Sequence, residues 1–144
     1  MKHWHHAVPV ALAVGIADLL AGCGGGHTAS PASSPTVSVE MKAMGFAPST
    51  IEVHAGQLVK FRFHNAATVV HEALIGDGQA QDAHDKTMAQ MGGMAGMNHN
   101  DEVQVQPGGD AELSYHFDRP GTLVIGCHEP GHYAAGMRAT IEVR

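Results

Sequence analysis

Charge is scarce in this chain of 144 residues: Asp, Glu, Lys and Arg together make up 15% of it. Eight residues are Lys or Arg, against fourteen Asp or Glu, and the net charge is −6 with His neutral. The eight cations form no block. Nucleic acid is therefore excluded as a partner, because neutralising phosphates needs clustered Lys and Arg. Cysteine is also scarce, with only Cys23 and Cys127. A comfortable membrane span is lacking: the apolar run AVPVALAVGIADLL, residues 7–20, is too short. No stretch carries a long, well-capped helical pattern, and there is no internal repeat. Once the leader discussed below is set aside, little more than a hundred residues remain, which is one domain with enough length to bury a core.

What the chain has in excess is histidine and methionine, twelve and eight residues. Both bind metals, His as a borderline ligand and Met as a soft one.

The two cysteines belong to different settings. Cys23 closes LLAGC after the short apolar run, and Leu20-Ala21-Gly22-Cys23 resembles the bacterial lipobox. The resemblance implies cleavage before Cys23 and a diacylglycerol on its sulfur, and so a membrane lipoprotein facing the periplasm or the exterior. Residues 1–22 are then a signal peptide, and His3, His5 and His6 leave with it. The stretch GGGHTASPASSP that follows is dominated by Gly, Ser, Ala and Pro and builds no core. Residues 23–35 read as a flexible tether, and residues 36–144 as the domain. With Cys23 acylated, Cys127 has no disulfide partner in an oxidising compartment, which marks it as a liability or a ligand.

From Thr36 the hydrophobic period is mostly two. TVSVEM alternates. TIEVHAGQLVKFRFHN gives two alternating runs with Ala55-Gly56 as the turn between them. TVVHEALIG is a further run, and EVQVQPGG, AELSYHF, RPGTLVIGC and MRATIEVR add four more. Pro107-Gly108-Gly109 and Pro120-Gly121 punctuate them. Short strands at regular spacing predict an all-β antiparallel sandwich or barrel. Residues 77–100 break the rhythm and read as an insertion between strands. Within it DAHDKTMAQM is compatible with a short helix, and Gly92, Gly93 and Gly96 argue against its continuing.

The chemistry concentrates in CHEPGHYAAGM, residues 127–137. Cys127, His132 and Met137 follow the spacing Cys-x4-His-x4-Met, with Pro130, Gly131 and Gly136 letting the segment curl around one point. Two His and a Cys in a trigonal plane, with a weak axial Met, suit copper cycling between +1 and +2. Zinc is more often closed by several Cys, or by His and carboxylates, without a thioether. The second His must come from elsewhere. His71 is the best candidate, because it follows the apolar TVV on a predicted strand.

GFAPSTIEVHAGQLVKFRFHNAATVVHEALI, residues 45–75, and the closing half, residues 119–143, resemble the cupredoxins, the single-domain type 1 blue copper proteins. The resemblance covers roughly residues 37–144. It implies a Greek-key β-sandwich, one type 1 copper held by His71, Cys127 and His132 with Met137 axial, and electron exit through His132. The insertion together with CHEPGHYAAGM further resembles a periplasmic subgroup linked with copper tolerance. Electron transfer, copper tolerance, or both are then the implied roles of an expected monomer, with a redox partner or a copper-handling protein as partner. Two departures stand out. Azurins and plastocyanins usually carry Asn after the first copper His, where this chain has Glu72, so a contact around the metal must change. Multicopper oxidases flank their Cys with His on both sides, whereas Gly126 precedes Cys127 here. An oxygen-reducing oxidase is thereby disfavoured, and the chain is not expected to be an enzyme. A Cys-His hydrolase lacks a third orienting residue.

The remaining histidines divide. His54, His64 and His116 sit on alternating strands and are expected to face outward, and His128 is expected to be a solvent-exposed loop residue. Met88, Met91, Met94 and Met97 recur every third residue between His84 and His99. Two readings stay open. The row is either a packed lid over the copper end or a second, weaker Cu(I) site, which would favour a chaperone or sequestering module. Met41 and Met44 fit either scheme.

Overall fold

The computed structural model describes residues 33–91 and 100–144. The strands are β1 (Thr36–Lys42), β2 (Gly45–Ala47), β3 (Thr50–Val53), β4 (Leu58–Asn65), β5 (His71–Gly76), β6 (Glu102–Val105), β7 (Asp110–His116), β8 (Gly121–Gly126) and β9 (Arg138–Val143), and one helix, α1 (Gly78–Met91), lies between β5 and β6. Alternation places them. In β4 Val59, Phe61 and Phe63 are buried, while Leu58, Arg62 and His64 are exposed. Burying a side chain of that size stabilises by about 1.5–3 kcal/mol. A one-residue slip would turn all three outward, so the register is strongly specified.

The strands form two sheets, in the orders β2-β1-β4-β7 and β3-β9-β8-β5-β6. Between them lie Val39, Met41, Phe61, Phe63, Phe117, Ile125 and Ile141, all nearly free of solvent contact. Met41 is thus a core residue, whereas Met44 is half exposed. The sandwich agrees with the sequence pattern, but two details do not. β1 with β4 and β3 with β9 are parallel pairs in an otherwise antiparallel set. The turns expected at Ala55-Gly56, Pro107-Gly108-Gly109 and Pro120-Gly121 are not hairpins: each carries the chain from one sheet to the other. Alternation reports which face a residue takes and is silent on which strand becomes its neighbour.

Within the five-stranded sheet, β5 and β6 pair antiparallel, as do β8 and β9. Their connections are the helical segment and residues 127–137. β5 differs from the other strands in being buried at every position. One face, with Ala73 and Ile75, joins the core. The other, with Glu72 and Leu74, is covered by α1. Asp77 starts that helix, its Oδ1 accepting the Ala80 amide at 2.9 Å. The helix therefore begins four residues earlier than DAHDKTMAQM suggested. It sits close to the sheet because a Cβ on Gly76 would meet Ala80, and one on Gly126 would meet Gln81 and Tyr133. The fully buried Gln81 fastens it, donating from Nε2 to the carbonyls of Leu74 (3.1 Å) and Val124 (2.9 Å).

Candidate metal centre

The antiparallel pairing of β5 with β8 puts the start of one strand and the end of the other at the same end of the sheet. His71 opens β5, Cys127 follows Gly126 at the end of β8, and Arg138 opens β9. The loop between β8 and β9 is tied to itself. The Cys127 amide donates to the Met137 carbonyl (3.2 Å), the Met137 amide to the His132 carbonyl (3.0 Å), and the His132 amide to the Glu129 carbonyl (2.9 Å). Gly131 and Gly136 adopt φ of 85° and 95°, a left-handed backbone that side chains disfavour, and so turn the loop tightly enough to face inward.

Four side chains converge there. Cys127 Sγ lies 3.7 Å from Nδ1 of His71 and 3.4 Å from Nδ1 of His132. The two imidazole rings are 5.1 Å apart at 56°. One ligand atom from each of the three residues falls within 4.8 Å of the others. A metal bound to nitrogen at about 2.1 Å and to sulfur at about 2.3 Å in a trigonal plane separates those donors by roughly 3.8 Å. The site therefore fits a trigonal ion with little movement. His71, Cys127 and Met137 are fully buried, and His132 is half-buried. One imidazole thus reaches from the metal position toward solvent.

Burial governs the charge state. It pushes the Cys127 thiol up to about 11, against smaller opposing help from the amides of Glu72 and Glu129. The Glu72 amide points at Sγ from 3.4 Å. Burial, and then the neighbouring His132, lowers the basicity of His71, leaving a neutral ring whose lone pair can serve a metal. Its Nε2 finds no partner at strict hydrogen-bond geometry, although the Lys42 carbonyl is near enough to pull the ring slightly the other way.

His128 overturns an expectation. It is 3% exposed, not a solvated loop residue. Its amide donates to Glu72 Oε2 (3.1 Å), its Nε2 meets Gln81 Oε1 (2.8 Å), its Nδ1 meets Asp85 (3.2 Å), and its ring stacks on Tyr133 at 4.2 Å. The cause is α1, whose inward face receives the ring. Glu72 is the residue that sequence reasoning flagged without placing. Its carboxylate accepts from His128 and binds His84 Nε2 at 2.7 Å. Desolvation raises its proton affinity, and His84 and the His128 amide work against that. A carboxylate inside the apolar run VVHEALI was the available signal for a buried polar network.

His54, His64 and His116 are exposed, as expected, and His64 and His116 pair with Asp110 and Asp118. The His84–His99 row is only partly visible. Met88 is buried, and His84 meets Glu72 and Glu102. The side chain of Met91, and Met94, Met97 and His99, lie outside the described residues, as does Cys23.

A two-sheet β-sandwich with His, Cys, His and Met gathered at one end defines a cupredoxin, its four side chains arranged as a type 1 copper site. The profile of copper binding proteins of the plastocyanin/azurin type matches residues 34–144. The chain belongs to that copper-binding family. It is 33% identical to the copper-resistant cuproprotein CopI of Pseudomonas aeruginosa, over 78% of this chain and 77% of the relative. It is 35% identical to the copper-resistant cuproprotein CopI of Rubrivivax gelatinosus, over 76% of this chain and 66% of the relative. Among solved structures, the dithionite-reduced auracyanin of Roseiflexus castenholzii superposes with a TM-score of 0.66 at 23% identity, over 77% of this chain and 98% of that one. Auracyanin B does so with a TM-score of 0.64 at 25% identity, over 76% and 88%. These superpositions bear on the fold.

Proposed function

We propose that this protein would hold one type 1 copper through His71, Cys127, His132 and Met137, and serves copper tolerance by one-electron exchange at the outer face of a bacterial membrane. The observation that carries the reading is the buried Cys127 sulfur set between two imidazoles at 3.7 and 3.4 Å. The relatives named copper-resistant cuproproteins support the tolerance role, and the lipobox-like segment ending at Cys23 supports the location.

Copper, once bound, supplies the redox change. The chain's residues do the rest. Burial removes water from Cys127 and Met137, so the donors are those of the protein alone. The loop's internal hydrogen bonds hold the donors in one geometry, which keeps rearrangement small between oxidation states. The Glu72 amide donates toward the sulfur and moderates its charge. His132, half-buried, is the edge at which a redox partner or a copper-handling protein would meet the centre. No substrate is transformed in this role.

The test is the visible spectrum of the purified, copper-loaded protein. A strong absorption toward the red, lost in Cys127→Ser, is the expected result. A colourless Cu(II) protein, or colour that survives the substitution, rules the site out.

A further inference from the structure

A second group of donors lies under α1, on the face of the five-stranded sheet away from the core. Glu72, His84 and Glu102 each bring one ligand atom to within 4.8 Å of the other two. His84 sits between the carboxylates, with Nε2 at 2.7 Å from Glu72 and Nδ1 at 3.5 Å from Glu102. The side chains of the two Glu are 2% and 7% exposed, and that of His84 is 16% exposed. Carboxylates are almost never this buried unless paired or metal-bound. Here one imidazole stands between two of them, so a nitrogen and carboxylate oxygens are grouped in one water-poor place.

We propose that Glu72, His84 and Glu102 form a second metal site, which takes a divalent cation of the Cu(II) class and is separate from the type 1 centre. A divalent ion offsets both carboxylates at once. One imidazole and two carboxylates form a nitrogen–oxygen donor set without sulfur, and for such sets affinity among divalent first-row metals peaks at Cu(II). An ion with bonds of about 2.1 Å places its donors roughly 3–4 Å apart. It takes one imidazole nitrogen, so on binding the His84 ring gives up one of its two carboxylate contacts and turns a single nitrogen toward an ion that both carboxylates reach. His128 packs edge-on against His84 at 5.0 Å and forms a wall of the site. It is not itself a donor, since Gln81 and Asp85 engage both its nitrogens. The site differs in chemistry from the methionine row. Thioethers select Cu(I), whereas this set selects the oxidised ion.

The experiment uses the full chain with its type 1 centre loaded. Cu(II) is added stepwise and followed by equilibrium dialysis and electron paramagnetic resonance. Other histidines of the chain also attract Cu(II), so the reading is the difference between wild type and two variants, His84→Ala and Glu102→Gln. Each is expected to weaken one additional equivalent at least tenfold, and to remove one thiolate-free Cu(II) signal, while the red-end absorption stays. Identical titrations and signals in wild type and both variants overturn the site. The Cys127→Ser form, checked for folding by circular dichroism, separates this inference from the type 1 reading. There the extra equivalent is expected to persist and to remain sensitive to Glu102→Gln. Its disappearance would place it in the type 1 pocket and end the proposal.

Discussion

The backbone amide of Glu72 points at Sγ of Cys127 from 3.4 Å, across 55 positions of sequence. The same residue's carboxylate accepts the amide of His128, the next residue after that cysteine. Two strands that carry the candidate ligands are thereby joined to one another without the metal. The metal-free protein should already hold its donors in place, which bears on each expectation below.

Met137 is fully buried, and its proposed role as a weak axial ligand can be probed by a conservative change. Met137→Leu keeps the volume, so the cost in stability should be below about 1.5 kcal/mol. Copper and colour should remain, because most of the affinity comes from the thiolate and two imidazoles. The reduction potential should rise, since a sulfur that donates to the oxidised metal is gone. Voltammetry of the two proteins decides it, and loss of copper in the variant would contradict the weak axial role.

In the metal-free protein the Cys127 thiol should titrate near 11 instead of its ordinary 9.0. The cause is burial, which favours the neutral form in the fold. The contribution to stability is therefore complete below pH 9, and is lost as pH rises from 9 through 11. The full difference is on the order of 2–3 kcal/mol. Thiolate ultraviolet absorbance against pH, with Cys127→Ser as the blank, reads the midpoint directly. A midpoint at or below 9 would show that the buried setting does not govern the thiol.

Gln81 bridges the carbonyls of β5 and β8 and also meets His128. Gln81→Ala leaves buried groups without partners, at about 1–3 kcal/mol each. Gly126→Ala presses a methyl into Gln81 and Tyr133 and should cost roughly 1–3 kcal/mol by overpacking. Urea unfolding of both variants should show lowered midpoints with an unchanged slope. A midpoint equal to wild type in both would mean that α1 is not fastened where these contacts place it.

The lipobox-like segment carries its own expectation. Cells expressing the full chain should hold it in the membrane fraction, and Cys23→Ser should release it, because diacylglycerol supplies the two chains that stable anchoring needs. Wild-type protein found already soluble would contradict the anchor.

The donors of the type 1 arrangement were legible in sequence because local spacing fixes three of the four. Cys127, His132 and Met137 share one short loop, and only His71 needed the fold to bring it near. Faces were legible too, since Val59, Phe61 and Phe63 alternate with polar neighbours. Strand pairing was not. Ala55-Gly56 has the composition of a hairpin turn, yet it is a crossing between sheets, and nothing local in sequence separates the two. The burial of His128 is hidden from the local sequence for a related reason. Its burial comes from Gln81, Asp85 and Tyr133, two of which lie more than forty positions away. Glu72 was noticed as a departure, but its link to His84 and Glu102 depends on a helix whose packing rests on Gly76 and Gly126.

Both segments that bear the metal-binding side chains of special interest, the α1 region and residues 127–137, connect neighbouring antiparallel strands of a single sheet. The crossings that hold the sandwich together lie elsewhere. A hairpin connection can be lengthened, shortened or replaced without changing which strands lie side by side, and added length costs little entropy. The fold thus behaves as a chassis with two exchangeable fittings. Transplanting residues 127–137 into another sandwich of this kind should carry the spectroscopic character of the centre with it. Transplanting the α1 region carries only His84 of the group beneath the helix, so the host strands must supply the carboxylates that Glu72 and Glu102 provide here.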